Sequence, residues 1–234
     1  MIFWLSVFLS LLCILFAESV SSSEGRNSRT CQLNKLDILF FLSSWQVFNL
    51  GYWQNYIANP VSEYSYNISA TLLILFTLWY ALRRKINLGL KFSGQDFAKG
   101  FLVLAIFAGI AIPIGLKRGF LHFNPRLDFQ YALSTMVGYY FFTAPSEELI
   151  FRGIIQNLLK RSMMAWLACL ITSVLFATIY SHLTGNGIFP NWEYAGFAFI
   201  AGLAYGISYL WTKNILVPIA LHGTVDTIWR IFLS

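Results

Sequence analysis

The sequence has 234 residues, of which 57% are hydrophobic and 11% are charged. Soluble domains carry about 25% charged residues, so this composition excludes an ordinary soluble protein. The formal net charge is +6, but the basic residues stand in short segments between apolar stretches, which is typical of membrane topology and not of nucleic-acid binding. We therefore predict an all-α, polytopic transmembrane helical bundle.

The N-terminal part, residues 1–99, is predicted to hold transmembrane helices and an interfacial segment. Residues 2–16 are apolar and favour a short first span, with a cleaved signal peptide as the alternative, because no basic n-region precedes them. The next apolar stretches are residues 36–53 and 70–82. Residues 86–99 carry Lys91 and Lys99 on an amphipathic segment, which we place at the membrane interface.

The C-terminal part, residues 100–234, is predicted to form the core of the bundle. Its apolar stretches are residues 100–116, 129–144, 163–181, 193–212 and 215–233, and a helix over residues 147–159 is expected to continue from the second of them. A span needs about 20 residues, so the whole chain holds seven or eight spans. If residues 129–160 cross once, as a long helix kinked at Pro145, most loop cations fall on one side, which is then cytoplasmic. We expect a multi-pass protein, in the inner (plasma) membrane if the source is bacterial.

Two carboxylates and a guanidinium interrupt the long apolar stretch. Glu147, Glu148 and Arg152 stand between Tyr139 and Ile155. A charge at such depth costs roughly 2.5–3.5 kcal/mol on insertion scales, so charges kept there usually face the bundle interior and have a partner. Glu148 and Arg152 are i,i+4 neighbours that can pair on one helix face. Glu147 points about 100° away from that face and is left for another role.

Other ionisable side chains occur where further spans could bring them to Glu147. His222 and Asp226 are i,i+4 neighbours in the last span, and His182 stands at the end of an earlier one. A carboxylate and an imidazole around a water form a general base. A second histidine can stabilise charge that develops on a carbonyl oxygen. Together these residues indicate hydrolysis of an amide by an activated water.

The ordered motifs also resemble a known family. Glu147-Glu148-x-x-x-Arg152, an aromatic-and-histidine segment and His222-x-x-x-Asp226 are similar to the CPBP family, the CAAX-protease and bacteriocin-processing enzymes, or glutamate-type intramembrane proteases. The resemblance covers roughly residues 100–233. It implies that Glu147 activates the water together with His182, that Glu148 and Arg152 support the site as an ion pair, and that His222 and Asp226 form the oxyanion side. It also implies a membrane-associated protein or peptide substrate.

Two positions depart from the family pattern. The second family element is usually Phe-x-x-x-His, but here Phe176 precedes His182 by six residues, and Tyr180 stands four residues after Phe176. The family often has Asn where this chain has Asp226. An ionised Asp would repel an oxyanion, so Asp226 must be protonated, orient His222 or bind a metal.

The sequence is also compatible with other functions. A catalytic zinc held by Glu147, His182 and His222 is the alternative to a metal-free site. The sequence lacks the HExxH motif, and we favour a mechanism without a cofactor. Buried Glu and His residues also serve proton- or ion-coupled transporters. A non-catalytic immunity or scaffold membrane protein is the third reading. We predict contacts with the lipid bilayer and no nucleic-acid partner; the sequence does not indicate an oligomeric state.

Overall fold

The computed structural model describes residues 63–181 and 190–234. The predicted spans at residues 2–16 and 36–53 lie outside the described residues, as does His182. Within the described ranges the chain forms six helices and no strand. They are α1 (Glu63–Arg83), α2 (Gly94–Arg118), α3 (residues 129–159), α4 (Ala165–Tyr180), α5 (Trp192–Thr212) and α6 (Leu216–Phe232).

The helices confirm an all-α, membrane-like architecture. Two described helices, α2 and α5, are long and apolar enough to cross a membrane, and two shorter apolar helices cover Asn67–Arg83 and Ala165–Tyr180. Large apolar side chains on α2 are exposed, among them Phe101 and Ile106 at 69% and 58%. Such a surface is expected to face lipid. The described residues do not support the predicted number of seven or eight spans.

The loops that follow α1 and α5 contact each other at one end of the bundle. The backbone N–H of Ile215, between α5 and α6, donates to the Leu88 carbonyl at 3.0 Å, and the Asn214 side chain donates to the Lys91 carbonyl at 2.8 Å. At Gly89 the crossing is so close that a Cβ atom would overlap the Lys213 carbonyl. The loops after α1 and α5 therefore meet at one end, as the positive-inside pattern predicts for loops on one side.

The opposite end is closed by the loop that follows α2. Its residues 122, 124 and 126 donate backbone hydrogen bonds to the carbonyls of Leu233, Phe232 and Ile231 at the end of α6. Arg118 at the end of α2 pairs with Glu193 at the start of α5 at 2.8 Å. The polypeptide thus alternates between the two ends, and α3 runs the full distance between them.

Helix α3 is continuous through Pro145, where the sequence predicted a break or kink. It contains two π-helical segments, Tyr139–Thr143 and Leu149–Gln156. In the first, the Ala144 N–H bonds to the Tyr139 carbonyl five residues back. Proline lacks an N–H and clashes with the carbonyl four residues earlier, and a wider turn directly before it accommodates both effects. The acidic pair lies in the short α-helical segment between the two π segments.

Helix α2 begins at Gly94, six residues before the predicted span. The Ser93 hydroxyl accepts a hydrogen bond from the Asp96 N–H, and an acidic residue in the first turn favours the helix N-terminus. Residues 86–93, which were predicted to be interfacial, form no regular helix. The division between the two predicted parts at residues 99 and 100 stays a prediction.

Helices α4 and α5 pack against each other along their length. A Cβ atom on Gly206 would lie 2.5 Å from Cys169 Sγ, and one on Gly202 would lie 3.3 Å from the Ser173 Cα. Small residues at such positions allow close approach of helices in membranes. This close contact between α4 and α5 places the backbone of α5 beside the charged segment of α3.

Candidate active site

The charged segment of α3 is buried in the bundle. Glu147, Glu148 and Arg152 are 1%, 0% and 0% exposed. Because charged side chains are almost never fully buried unless they are paired, each must have partners inside the protein. The i,i+4 pair predicted from the sequence is present: Arg152 Nη1 donates to Glu148 Oε1 at 2.8 Å.

Arg152 is held on three sides. Its Nη2 donates to the carbonyl of Gly202 on α5 at 2.9 Å. The guanidinium carbon lies 4.5 Å from the ring centroid of Phe176 and 5.3 Å from that of Tyr205, within the range of cation–π attraction. A Cβ atom on Gly202 would lie 3.3 Å from Arg152 Nη2, so glycine here gives the guanidinium room to reach the carbonyl.

His222 on α6 joins the two carboxylates of α3. Its Nδ1 lies 2.8 Å from Glu148 Oε1 and its Nε2 lies 4.0 Å from Glu147 Oε2. The ring stacks on Tyr205 at 4.8 Å with a 16° tilt and meets Phe176 edge-on. Glu148 therefore binds Arg152 and His222 through one oxygen, and this contact fixes the orientation of the imidazole.

Asp226 lies one helical turn beyond His222. Asp226 Oδ2 is 3.3 Å from His222 Nε2, and its side chain is 16% exposed. This distance supports the reading in which Asp226 orients the imidazole. Among the described residues, no group of three His, Cys, Asp or Glu is arranged to hold a metal ion. The predicted zinc ligand set of Glu147, His182 and His222 includes one residue outside the described ranges.

Glu147 has a partner that the sequence analysis did not assign. The Tyr180 hydroxyl, at the end of α4, donates to Glu147 Oε2 at 2.8 Å. The other carboxylate oxygen, Oε1, is buried and has no hydrogen-bond partner among the described residues. The available signal was the spacing Phe176-x-x-x-Tyr180, which puts both aromatic rings on the same face of α4. Tyr205 was also missed, and nothing in its sequence surroundings distinguishes it from a packing residue.

A cavity of about 320 Å³ opens beside these groups. Helices α2, α5 and α6 contribute most of its lining, which is almost entirely apolar and aromatic; its polar members include Tyr180, His222, Thr224 and Asp226. Ligand pockets are commonly about 300–1,000 Å³, with apolar walls and a few convergent polar groups. This cavity has that character, and its polar side is the candidate site.

Comparison with known proteins found a family model that is similar to part of the chain. Residues 129–228, which span α3 to α6, match the family model described as Type II CAAX prenyl endopeptidase Rce1-like. The matched part contains all the ionisable site residues assigned from the sequence: Glu147, Glu148, Arg152, His182, His222 and Asp226. The match agrees with the resemblance to CAAX proteases.

A second comparison found a bacterial relative of part of the chain. An "Uncharacterized 24.3 kDa protein" of Escherichia coli is 30% identical over 95 residues, which cover 39% of this chain and 41% of that protein. The chain therefore spans less than half of the relative's length. No solved structure matches the chain.

Proposed function

We propose that the chain is an intramembrane endopeptidase of the glutamate type. It hydrolyses a peptide bond near a C-terminal or leader segment of a membrane-associated protein or peptide. The observation that carries this proposal is the buried Glu147 carboxylate, whose Oε2 accepts from Tyr180 and lies 4.0 Å from His222 Nε2. Tyr180 and His222 both line the apolar cavity. The Rce1-like match supports a CAAX-type protease in general.

The proposed reaction consumes one water and leaves the enzyme unchanged. Glu147 takes a proton from the water, and the resulting hydroxide attacks the carbonyl carbon of the scissile peptide bond. His222 Nδ1 stays on Glu148, and His222 Nε2, which lies 3.3 Å from Asp226 Oδ2, donates to the developing oxyanion in place of Asp226. The C–N bond then breaks, and the proton held by Glu147 passes to the leaving amine. The products are a new carboxyl terminus and a new amino terminus.

The roles within the acidic pair are proposed to differ. Glu148 accepts from both Arg152 and His222, so its charge is already engaged in holding the site together. Within the part of the chain that the structure describes, Glu147 accepts from Tyr180 with Oε2 and has no cation as close as Arg152 is to Glu148. Oε1 of Glu147, like Oε2 of Glu148, has no hydrogen-bond partner among the described residues. Glu147 is therefore the general base, and Glu148 with Arg152 is the support.

The apolar cavity supports a substrate that carries a hydrophobic group next to the cleaved bond. It is lined by rings such as Phe101, Phe120 and Trp229 and reaches His222 and Asp226. A prenylated CAAX protein, a bacteriocin precursor and a C-terminal sorting signal all remain candidates. We propose a multi-pass protein of the predicted seven or eight spans, in the inner (plasma) membrane if the source is bacterial.

The direct test is cleavage by the purified protein in proteoliposomes. Peptides that end in a prenylated CAAX sequence, the same peptides without the prenyl group and leader-type membrane peptides are incubated with it, and the products are identified by mass spectrometry. We expect one defined cut that depends on the hydrophobic group. Proton- or ion-coupled uptake without any cut would favour the transporter reading and contradict the proposal.

A further inference from the structure

The contact between Tyr180 and Glu147 links two helices at the centre of the site. Tyr180 is the last residue of α4, and its ring is 9% exposed. The ring stacks on Tyr194 at 5.4 Å with a 9° tilt and lies 5.1 Å from Phe176. An aromatic ring held on two sides can direct its hydroxyl to a fixed point, and here that point is Glu147 Oε2, at 2.8 Å.

The position of Tyr180 on its helix follows from that of Phe176. The Phe176 ring is already inside the site, where it meets Arg152 and His222. A residue one turn later lies on the same helix face, so position 180 faces the acidic pair. In this chain that position holds a tyrosine, and the histidine of the segment comes two residues further on.

We propose that Tyr180 positions Glu147 for water activation, in the role that the family resemblance assigns to His182. This inference rests on the proposed function. A phenol keeps its proton at neutral pH, so it donates a hydrogen bond and does not compete for the proton of the water. By holding Oε2 it fixes the plane of the carboxylate and directs Oε1 to the attacking water. Glu147 is then the base of the reaction.

The decisive variant is Tyr180→Phe, which keeps the stacked ring and removes the hydroxyl. A hydrogen bond to a charged group is strong enough for its loss to reduce kcat by about 10- to 100-fold. Because the hydroxyl does not hold the substrate, we expect KM to change by less than about twofold. Tyr180→His should keep more activity than Tyr180→Phe, since an imidazole N–H can donate to the same carboxylate.

Two controls separate positioning from packing. Tyr209→Phe also removes a buried hydroxyl with a side-chain partner, the Asn157 amide at 2.7 Å, but away from the acidic pair; we expect its kcat to stay within about twofold of wild type. His182→Ala should reduce kcat less than Tyr180→Phe does. In a Glu147→Gln background, Tyr180→Phe should add no further loss, because residues that act as a unit are not additive.

Infrared spectroscopy tests the contact between Tyr180 and Glu147 without any substrate, and so independently of the proposed function. Infrared difference spectra of wild type against Tyr180→Phe should show a shifted carboxyl band that is absent in the Glu147→Gln background. Wild-type kcat in Tyr180→Phe, or a larger loss in His182→Ala, would overturn the role of Tyr180. If wild type cleaves no substrate while the band shift is present, the proposed function fails and the contact between Tyr180 and Glu147 stands.

Discussion

At the scale of single residues, the site is a chain of charge contacts that begins at Arg152. The guanidinium binds Glu148, Glu148 binds His222, and His222 lies between Asp226 and Glu147. All of these groups except Asp226, whose side chain is 16% exposed, are fully or almost fully buried. In a low-dielectric interior, a charge without its partner is far more costly than the same charge in water. The order of contacts therefore predicts which substitutions damage folding and which damage only chemistry.

Arg152→Ala is expected to damage folding. It leaves Glu148 without its closest cation, and removal of one member of a buried pair typically costs about 3–5 kcal/mol. Unfolding of the purified protein in mixed micelles measures this change. The matched control is Arg230→Ala, whose side chain is exposed on α6; we expect a change within about 0.5 kcal/mol. Equal effects of the two variants would show that the pair with Glu148 does not stabilise the fold.

His222 also bears on the choice between an activated water and a metal. Both ring nitrogens already face carboxylate oxygens, Nδ1 at Glu148 and Nε2 at Asp226. A metal would have to displace Asp226 or join it on Nε2. We expect cleavage to be insensitive to EDTA, with the same rate after dialysis against the chelator. Loss of activity that Zn²⁺ restores would instead support the site of Glu147, His182 and His222.

At the scale of elements, the π-helical segments of α3 explain why the sequence predicts only part of the site. The i,i+4 rule places Arg152 on Glu148 correctly, since both belong to one helix. It does not predict that His222 Nδ1 binds Glu148 and not Glu147, because that choice depends on how α3 is rotated against α6. The wider turns at Tyr139–Thr143 and Leu149–Gln156 change this rotation. No residue pattern in the sequence predicts these turns.

The sequence permits the close contact of α4 with α5 but does not identify α4 as the partner helix. Gly202 and Gly206 allow close helix packing, and the structure places α4 against both positions. What the sequence did not contain is the use of the Gly202 carbonyl as an acceptor for Arg152. A backbone acceptor has no signature in the residue pattern, so such contacts require the structure.

Gly206→Ala tests this packing. Its Cβ would meet Cys169 Sγ at 2.5 Å and Gln156 Oε1 at 3.0 Å, and overpacking of this kind typically costs about 1–3 kcal/mol. Gly196→Ala on the same helix is the control, because nothing lies within 4 Å of its Cβ; it should be neutral or stabilising by about 0.5–1 kcal/mol.

The thiol of Cys169 provides the second half of that test. Cys169→Ala removes the closest atom, so the double variant with Gly206→Ala should recover part of the lost stability in the same unfolding measurement. Additive losses in the double variant would mean that the helices adjust elsewhere and that Sγ is not the obstacle.

At the scale of the whole molecule, the described helices place a polar site inside an apolar bundle, with an apolar cavity beside it. Loops rich in cations gather at one end, and the pair of Arg118 and Glu193 lies at the other. Composition, the lengths of the apolar stretches and the positions of the loop cations together predicted the membrane class and the helical fold. The number of spans was harder to predict. The apolar parts of α1 and α4, Asn67–Arg83 and Ala165–Tyr180, are shorter than a membrane crossing requires.

In the proposed mechanism, Glu147 is the base that activates water. The most direct measurement is kcat of purified Glu147→Gln in proteoliposomes. The control is Glu193→Gln, the same substitution at a glutamate that forms an ion pair with Arg118. General-base catalysis contributes about 10²–10⁴-fold; we predict a loss of that size for Glu147→Gln, with unchanged unfolding, and wild-type cleavage for Glu193→Gln. Cleavage by Glu147→Gln at the wild-type rate would contradict the account.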